Sequence, residues 1–153
     1  MGQALGAGLG ALAQFSIVAL VDEHEPSDLF GGSYATSLDG LDTTNVDVVI
    51  DFSSPEGVAR SAIWCAEHGV ALVVGTTGLS QEQRDLVEKA SLKVGVVMAS
   101  NFSVGAVLSE RFAAQAAPYF ERVEIIELHH DKKVDAPSGR AAKKEESKER
   151  SEV

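Results

Sequence analysis

Short apolar runs alternate with longer amphipathic stretches along most of this chain. Ser16–Val21, Val46–Phe52, Val70–Val74 and Val94–Ala99 are rich in Val, Ile and Ala. They are too short for buried helices and predict strands, the first of them buried and ending at Asp22. The stretches between carry helix signals. Ser54 can cap a helix that begins at Pro55, runs to His68 and stops at Gly69. Ser80-Gln81-Glu82-Gln83 is a capping box that opens the next helix. Val104–Tyr119 repeats its apolar residues at helical spacing, with Pro118 near its end. Gly2–Gln14 is nearly all Ala, Leu and Gly and predicts a buried helix weakened by its glycines. Residues 26–45 are rich in Gly, Ser, Asp and Thr and predict loop with little regular structure.

Strands that alternate with amphipathic helices predict an α/β fold, a doubly wound parallel sheet built from βαβ units. A ligand of such a sheet lies beyond the carboxyl ends of its strands. The residues there are Asp22, Phe52-Ser53-Ser54, Gly75-Thr76-Thr77-Gly78 and Ala99-Ser100-Asn101-Phe102. They are small or hydrogen-bonding, as a nucleotide cleft requires. Asp22 stands 20 positions after Gly2. It is either the acidic residue that accepts from a ribose or a solvated carboxylate of the loop Asp22-Glu23-His24-Glu25. Gly6-Ala7-Gly8-Leu9-Gly10 lacks the spacing of a dinucleotide fingerprint, so close helix packing is the expected role of its glycines.

Composition narrows the classes. The net charge is −10 over 153 residues, which argues against a nucleic-acid surface. Cys65 is the sole cysteine, so there is no disulfide framework and no Cys-based metal site; in its helix it is expected to be a small core residue. His24 has no metal-spaced partner, and no metal is expected. No run reaches the roughly 18 apolar residues of a membrane span. No basic region precedes the N-terminal apolar run, so a cytoplasmic protein is expected.

The densest chemistry follows a further strand. Val123–Leu128 alternates apolar and acidic residues and leads into His129-His130-Asp131-Lys132-Lys133, then Ala136-Pro137-Ser138-Gly139. Histidine exchanges protons near neutral pH, and lysine adds a cation. The turn at Ser138-Gly139 offers backbone N–H groups and a hydroxyl, suited to a carboxylate. From Arg140 to Val153 the chain is Lys, Glu, Arg and Ser, with two alanines near its start and Val153 as its one large apolar residue; a frayed helix or disorder is expected.

Glu127–Gly139 resembles the signature E-x-H-H-x-x-K-x-D-A-P-S-G-T-A of the dihydrodipicolinate reductases. Asp51–Glu56, Gly75–Gly78 and Ala99–Gly105 match three further motifs of that family in the same order. The resemblance implies a Rossmann-type dinucleotide-binding domain over residues 1–102 and the start of an α+β substrate domain over 103–139, with 140–153 as a charged tail. It implies NADH or NADPH as cofactor, a small dicarboxylate as substrate, and the lysine and diaminopimelate pathway. His129 would be the catalytic proton donor or acceptor and Lys133 a proton donor. His130, Ser138, Gly139 and position 140 would hold the substrate. Gly75, Thr76, Thr77, Phe52 and Ala99, Ser100, Asn101 and Phe102 would line the cofactor's nicotinamide side, with Gly2 and Asp22 toward its phosphates and adenine ribose.

The chain also departs from that pattern. Met1-Gly2 looks like the last two residues of the family's glycine loop, so the first strand is expected to be missing. Arg140 stands where the family has Thr. The family's remaining substrate domain, which builds its homotetramer, is replaced by the tail. The expectation is a reductase truncated at both ends and weak or inactive alone. A non-catalytic nucleotide-binding module on the same half-fold is the alternative. A third reading, a dehydrogenase of an aspartate-derived aldehyde, would need a catalytic cysteine at a strand-to-helix turn.

Overall fold

The computed structural model describes residues 1–124. Its elements, in chain order, are α1 (Gly2–Gly10), β1 (Ala19–Val21), β2 (Ser33–Ala35), a 3-10 turn (Thr43–Asn45), β3 (Val48–Asp51), α2 (Pro55–His68), β4 (Ala71–Val74), α3 (Gln81–Ser91), β5 (Val96–Met98), α4 (Val104–Ala116) and a 3-10 turn (Ala117–Tyr119). The fold is α/β, with every strand pairing parallel. The strands form two ladders, β1-β2 and β3-β4-β5. Among the described residues β1 pairs only with β2, and β3 only with β4.

The core lies in the second ladder and its two crossover helices. The local signals act as their chemistry dictates. The Ser54 side chain accepts from the Gly57 N–H, Pro55 opens α2, and Gly69 ends it at φ 71°. Only a glycine takes that left-handed cap without strain. At α3 the Ser80 and Gln83 side chains each accept from the other's backbone N–H. One stripe of α2, Val58, Ala62 and Cys65, packs with Val87 and Ala90 of α3 and with Leu72 and Val74, alternate residues of β4. Leu72, Val58, Val74 and Cys65 are the largest side chains sealed from water. Each fully buried Val or Leu contributes about 1.5–3 kcal/mol. Trp64 closes the edge of this core and stacks on His68, ring centroids 4.4 Å apart.

Four expectations need correction. The N-terminal helix ends at Gly10, and Gly6 is its one buried residue. The Phe30 ring lies against Gly6, where a Cβ would overlap it, while nothing approaches Gly2 or Gly8. The close approach is thus helix to loop. Asp28 Oδ1 accepts from the Phe30 N–H at 2.8 Å and steadies Phe30 at its positive φ of 50°. Second, the strand at Ser16–Val21 shrinks to β1, which is half-buried to exposed and, among the described residues, pairs on one side only. Third, residues 26–45 hold a strand, β2. Its residues carry little strand pattern. The pairing is set by Gly32, whose missing side chain admits the Ile17 and Val18 carbonyls, each about 3 Å from where a Cβ would stand. Fourth, α4 stops at Ala116, and its last turn tightens to 3-10 over Ala117–Tyr119 around Pro118. The remaining strands are shorter than expected by one to three residues.

The expected strand at 123–128, the residues His129, His130, Lys133, Ser138, Gly139 and Arg140, and the 140–153 tail lie outside the described residues, save Val123 and Glu124 in irregular backbone. Among the described residues no helix is long and apolar enough to cross a membrane.

Candidate functional site

Three parallel strands in register bring three loops to one edge of the sheet. Asp51 of β3 pairs with Val74 of β4, and Val74 with Met98 of β5. The residues that follow are therefore neighbours: Phe52, Gly75 and Ala99. Hydrogen bonds carry the ladder one step past the strands, from the Gly75 N–H to the Asp51 carbonyl at 2.9 Å and from the Ala99 N–H to the Val74 carbonyl at 3.1 Å.

Beyond them the side chains converge. The Phe52 and Phe102 rings meet at 5.6 Å between centroids, tilted by 54°. This joins the loop after β3 to the loop after β5. The Phe52 ring also lies over Gly75, where a Cβ would overlap it. Gly75 is thus a glycine because the ring of Phe52 occupies its side-chain space. Phe52 is half-buried, and Phe102 is 47% exposed. Together they form an aromatic platform at the carboxyl edge, open to solvent on one side.

Polar groups fix the loops around it. Asp51 is 6% exposed. Its Oδ1 accepts from the Ser53 N–H at 2.9 Å, the Ser53 hydroxyl at 2.6 Å and the Thr76 hydroxyl at 3.4 Å; its Oδ2 accepts from the Ser61 hydroxyl at 2.6 Å. Asn101 Oδ1 accepts from the Ser103 N–H at 2.7 Å, which turns the chain into α4. Gly78 takes φ 79° and lets the loop reach α3. Thr76 and Thr77 are half-buried, and Ser100 is exposed.

Phe52, Gly75, Thr76, Ala99 and Phe102 are thus brought together. Gly2 and Asp22 belong to the other part of the fold. Asp22 follows β1, exposed, with its N–H on the Ala35 carbonyl and its Oδ1 accepting from the His24 N–H at 3.1 Å. Gly2 opens α1, whose N-terminus carries no side-chain cap. Nothing lies within 4 Å of a Cβ built on Gly2.

Cys65 is the sole thiol of the chain. It sits inside α2, fully buried, with its Sγ 3.9 Å from the Ala71 carbonyl. Burial, and behind it the negative charge of Asp51, push it up from 9.0 to about 11. It is a protonated core residue and no nucleophile, which removes the ground for an aldehyde dehydrogenase of the cysteine type.

Asp51 and Ser61 were not marked out by sequence reasoning. Asp51 stands in a matched motif, and a carboxylate that ends a buried strand just before two serines is the signal that points to it.

The fold and this edge define a parallel α/β protein whose strand-end loops converge at one edge of its sheet, where such sheets take their ligands. Comparison with known proteins makes that specific. Residues 1–102 match the family model for the dihydrodipicolinate reductase N-terminus, and residues 105–151 that for its C-terminus. A 4-hydroxy-tetrahydrodipicolinate reductase of Nocardia farcinica is 43% identical over 144 residues, 92% of this chain and 54% of that protein. One from Coxiella burnetii is 50% identical over 105 residues, 67% of this chain and 44% of its own. The dipicolinate-bound dihydrodipicolinate reductase of Paenisporosarcina sp. TG-14 superposes with a TM-score of 0.75 at 34% identity, over 95% of this chain and 60% of that one. This chain belongs to the dihydrodipicolinate reductase family. It spans about half the length of the curated relatives it matches.

Proposed function

We propose that the chain carries the dinucleotide-binding part and the proton-transfer cluster of an NAD(P)H-dependent reductase of 4-hydroxy-tetrahydrodipicolinate, in lysine and diaminopimelate biosynthesis. The observation that carries this reading is the convergence of three strand-end loops on the Phe52–Phe102 platform, within the residues matched to the family's N-terminal model. The cofactor, when bound, supplies the hydride. The platform, with Gly75, Thr76, Thr77, Ala99, Ser100 and Asn101 around it, presents two mutually tilted aromatic rings and hydrogen-bonding groups against which a nicotinamide ring can lie. Gly2, at the open start of α1, faces the phosphates. Asp22 accepts from the adenine ribose; its charge disfavours a 2′-phosphate, so NADH binds more tightly than NADPH.

The substrate side belongs to residues 125–140, with the dinucleotide-binding domain at 1–102, the start of the substrate domain at 103–139 and the tail after it. His129 and Lys133 hold and deliver the proton that follows hydride addition. His130, Ser138, Gly139 and Arg140 meet the substrate's carboxylates with cations, a hydroxyl and N–H groups. The dicarboxylate in the Paenisporosarcina structure, dipicolinate, has this character.

Calorimetric titration with NADH and NADPH, followed by steady-state reduction of the enzymatically generated substrate, tests the reading. Saturable NADH binding with substrate-dependent oxidation supports it in full. Binding without turnover assigns the chain to nucleotide binding alone, and absence of both sinks the proposal.

A further inference from the structure

We propose that Asp51 is a positioning residue that clamps the two loops bearing Phe52 and Thr76, and so sets the height and tilt of the nicotinamide platform. The inference rests on the dinucleotide reading of that edge. Asp51 ends β3, and only 6% of it is exposed. A carboxylate so placed is costly unless donors surround it. Four donors do, from three places: Ser53 in the following loop through both N–H and hydroxyl, Ser61 on α2, and Thr76 after β4. An apolar residue would fill the same space without needing any of them. What the carboxylate adds is geometry.

The chain of contacts is short. The Ser53 N–H and hydroxyl on Oδ1 fix the backbone immediately after Phe52, and Phe52 meets both Gly75 and Phe102. The Thr76 hydroxyl on the same oxygen ties the second loop one residue past Gly75. Ser61 on Oδ2 anchors the carboxylate to the sealed stripe of α2, one position before Ala62. Loops on a rigid helix-and-sheet body are thereby held by a side chain that itself need not touch the cofactor.

The test uses the full chain and the variants Asp51→Ala, Asp51→Asn and Ser61→Ala. Hydrogen exchange by mass spectrometry follows peptides over 52–57 and 75–80, with α3 as the reference, and calorimetry follows NADH. Losing buried hydrogen bonds of this kind predicts exchange about tenfold faster at both loops in Asp51→Ala, with α3 changed less than about twofold. NADH affinity falls by about tenfold in the same variant. Asp51→Asn keeps an acceptor for the Ser53 N–H and offers an amide to the Ser61 hydroxyl, so it restores most of both. Should Asp51→Ala fail to fold, Ser61→Ala takes its place; freeing Oδ2 speeds both loops by a smaller factor. Equal acceleration in α3 and the loops, or unchanged loops, overturns the clamp. If the parent chain binds no NADH, the reductase reading falls, while the exchange data still decide whether Asp51 holds the loops.

Discussion

At the scale of single residues, Gly75 is the most constrained position of the site. Its side-chain space is filled by the Phe52 ring, so Gly75→Val must displace that ring and with it the contact to Phe102. Overpacking of this kind costs about 1–3 kcal/mol. NADH affinity should fall by about tenfold or more, measured by calorimetry, and unchanged affinity would mean that the platform does not receive the ring. Asp22 makes a sharper specificity test. Asp22→Ala should narrow the preference for NADH over NADPH, read from the two titrations, by removing charge beside the 2′ position. Cys65 gives a pH dependence. Its folded thiol is held up at about 11 against 9.0, so the unfolded chain loses that proton first as pH rises. This contribution to stability is intact below pH 9 and is lost as pH climbs toward 11. Urea midpoints should therefore fall over that window in the parent chain more than in Cys65→Ala. What a residue does locally was legible in the sequence: Ser54, Pro55, Gly69 and the Ser80–Gln83 box all act within four positions of themselves. Asp51 was not, because its partners Ser61 and Thr76 lie 10 and 25 residues away.

At the scale of elements, the chain divides into parts with strong and weak support. Among the described residues α2, α3 and β4 hold all of the buried apolar residues except Val70 and Leu79, which flank them: Val58, Ala62, Trp64, Cys65, Leu72, Val74, Val87 and Ala90. Their termini are capped by their own sequence. Ser80→Ala removes one half of the capping box and should lower stability by about 1 kcal/mol, read by urea unfolding through Trp64 fluorescence. α1 and α4 are otherwise. α1 buries Gly6 alone, and α4 buries nothing among the described residues, with Val104 and Phe112 74% and 62% exposed. Periodicity announced these helices correctly in kind, yet their surroundings could not be read from it. An apolar helix pattern states that a face can be buried, and the packing partner decides whether it is. β2 fails in the opposite direction. Ser33-Tyr34-Ala35 carries no strand pattern because its pairing is decided at Gly32 by the approach of a distant backbone.

At the scale of the molecule, the described residues form two parallel ladders. The β3-β4-β5 ladder with α2 and α3 is the rigid body, and the aromatic platform stands on its carboxyl edge. The β1-β2 ladder carries Asp22, and α1 carries Gly2. Hydrogen exchange should follow this division, with the slowest amides in β4 and α2 and faster ones in α1 and β1, and uniform protection would contradict it. The α/β class and the parallel pairing were legible from the strand–helix rhythm. The splitting into two ladders was not, since no local pattern states which strand a given strand will meet.

In the proposed function this strand-end edge receives a nicotinamide dinucleotide. Calorimetric titration of the chain with NADH, beside Gly75→Val, tests it most directly. One saturable site is expected in the parent chain, with markedly weaker binding in the variant at unchanged fold. No binding by a folded parent chain, or equal binding by both, would contradict it.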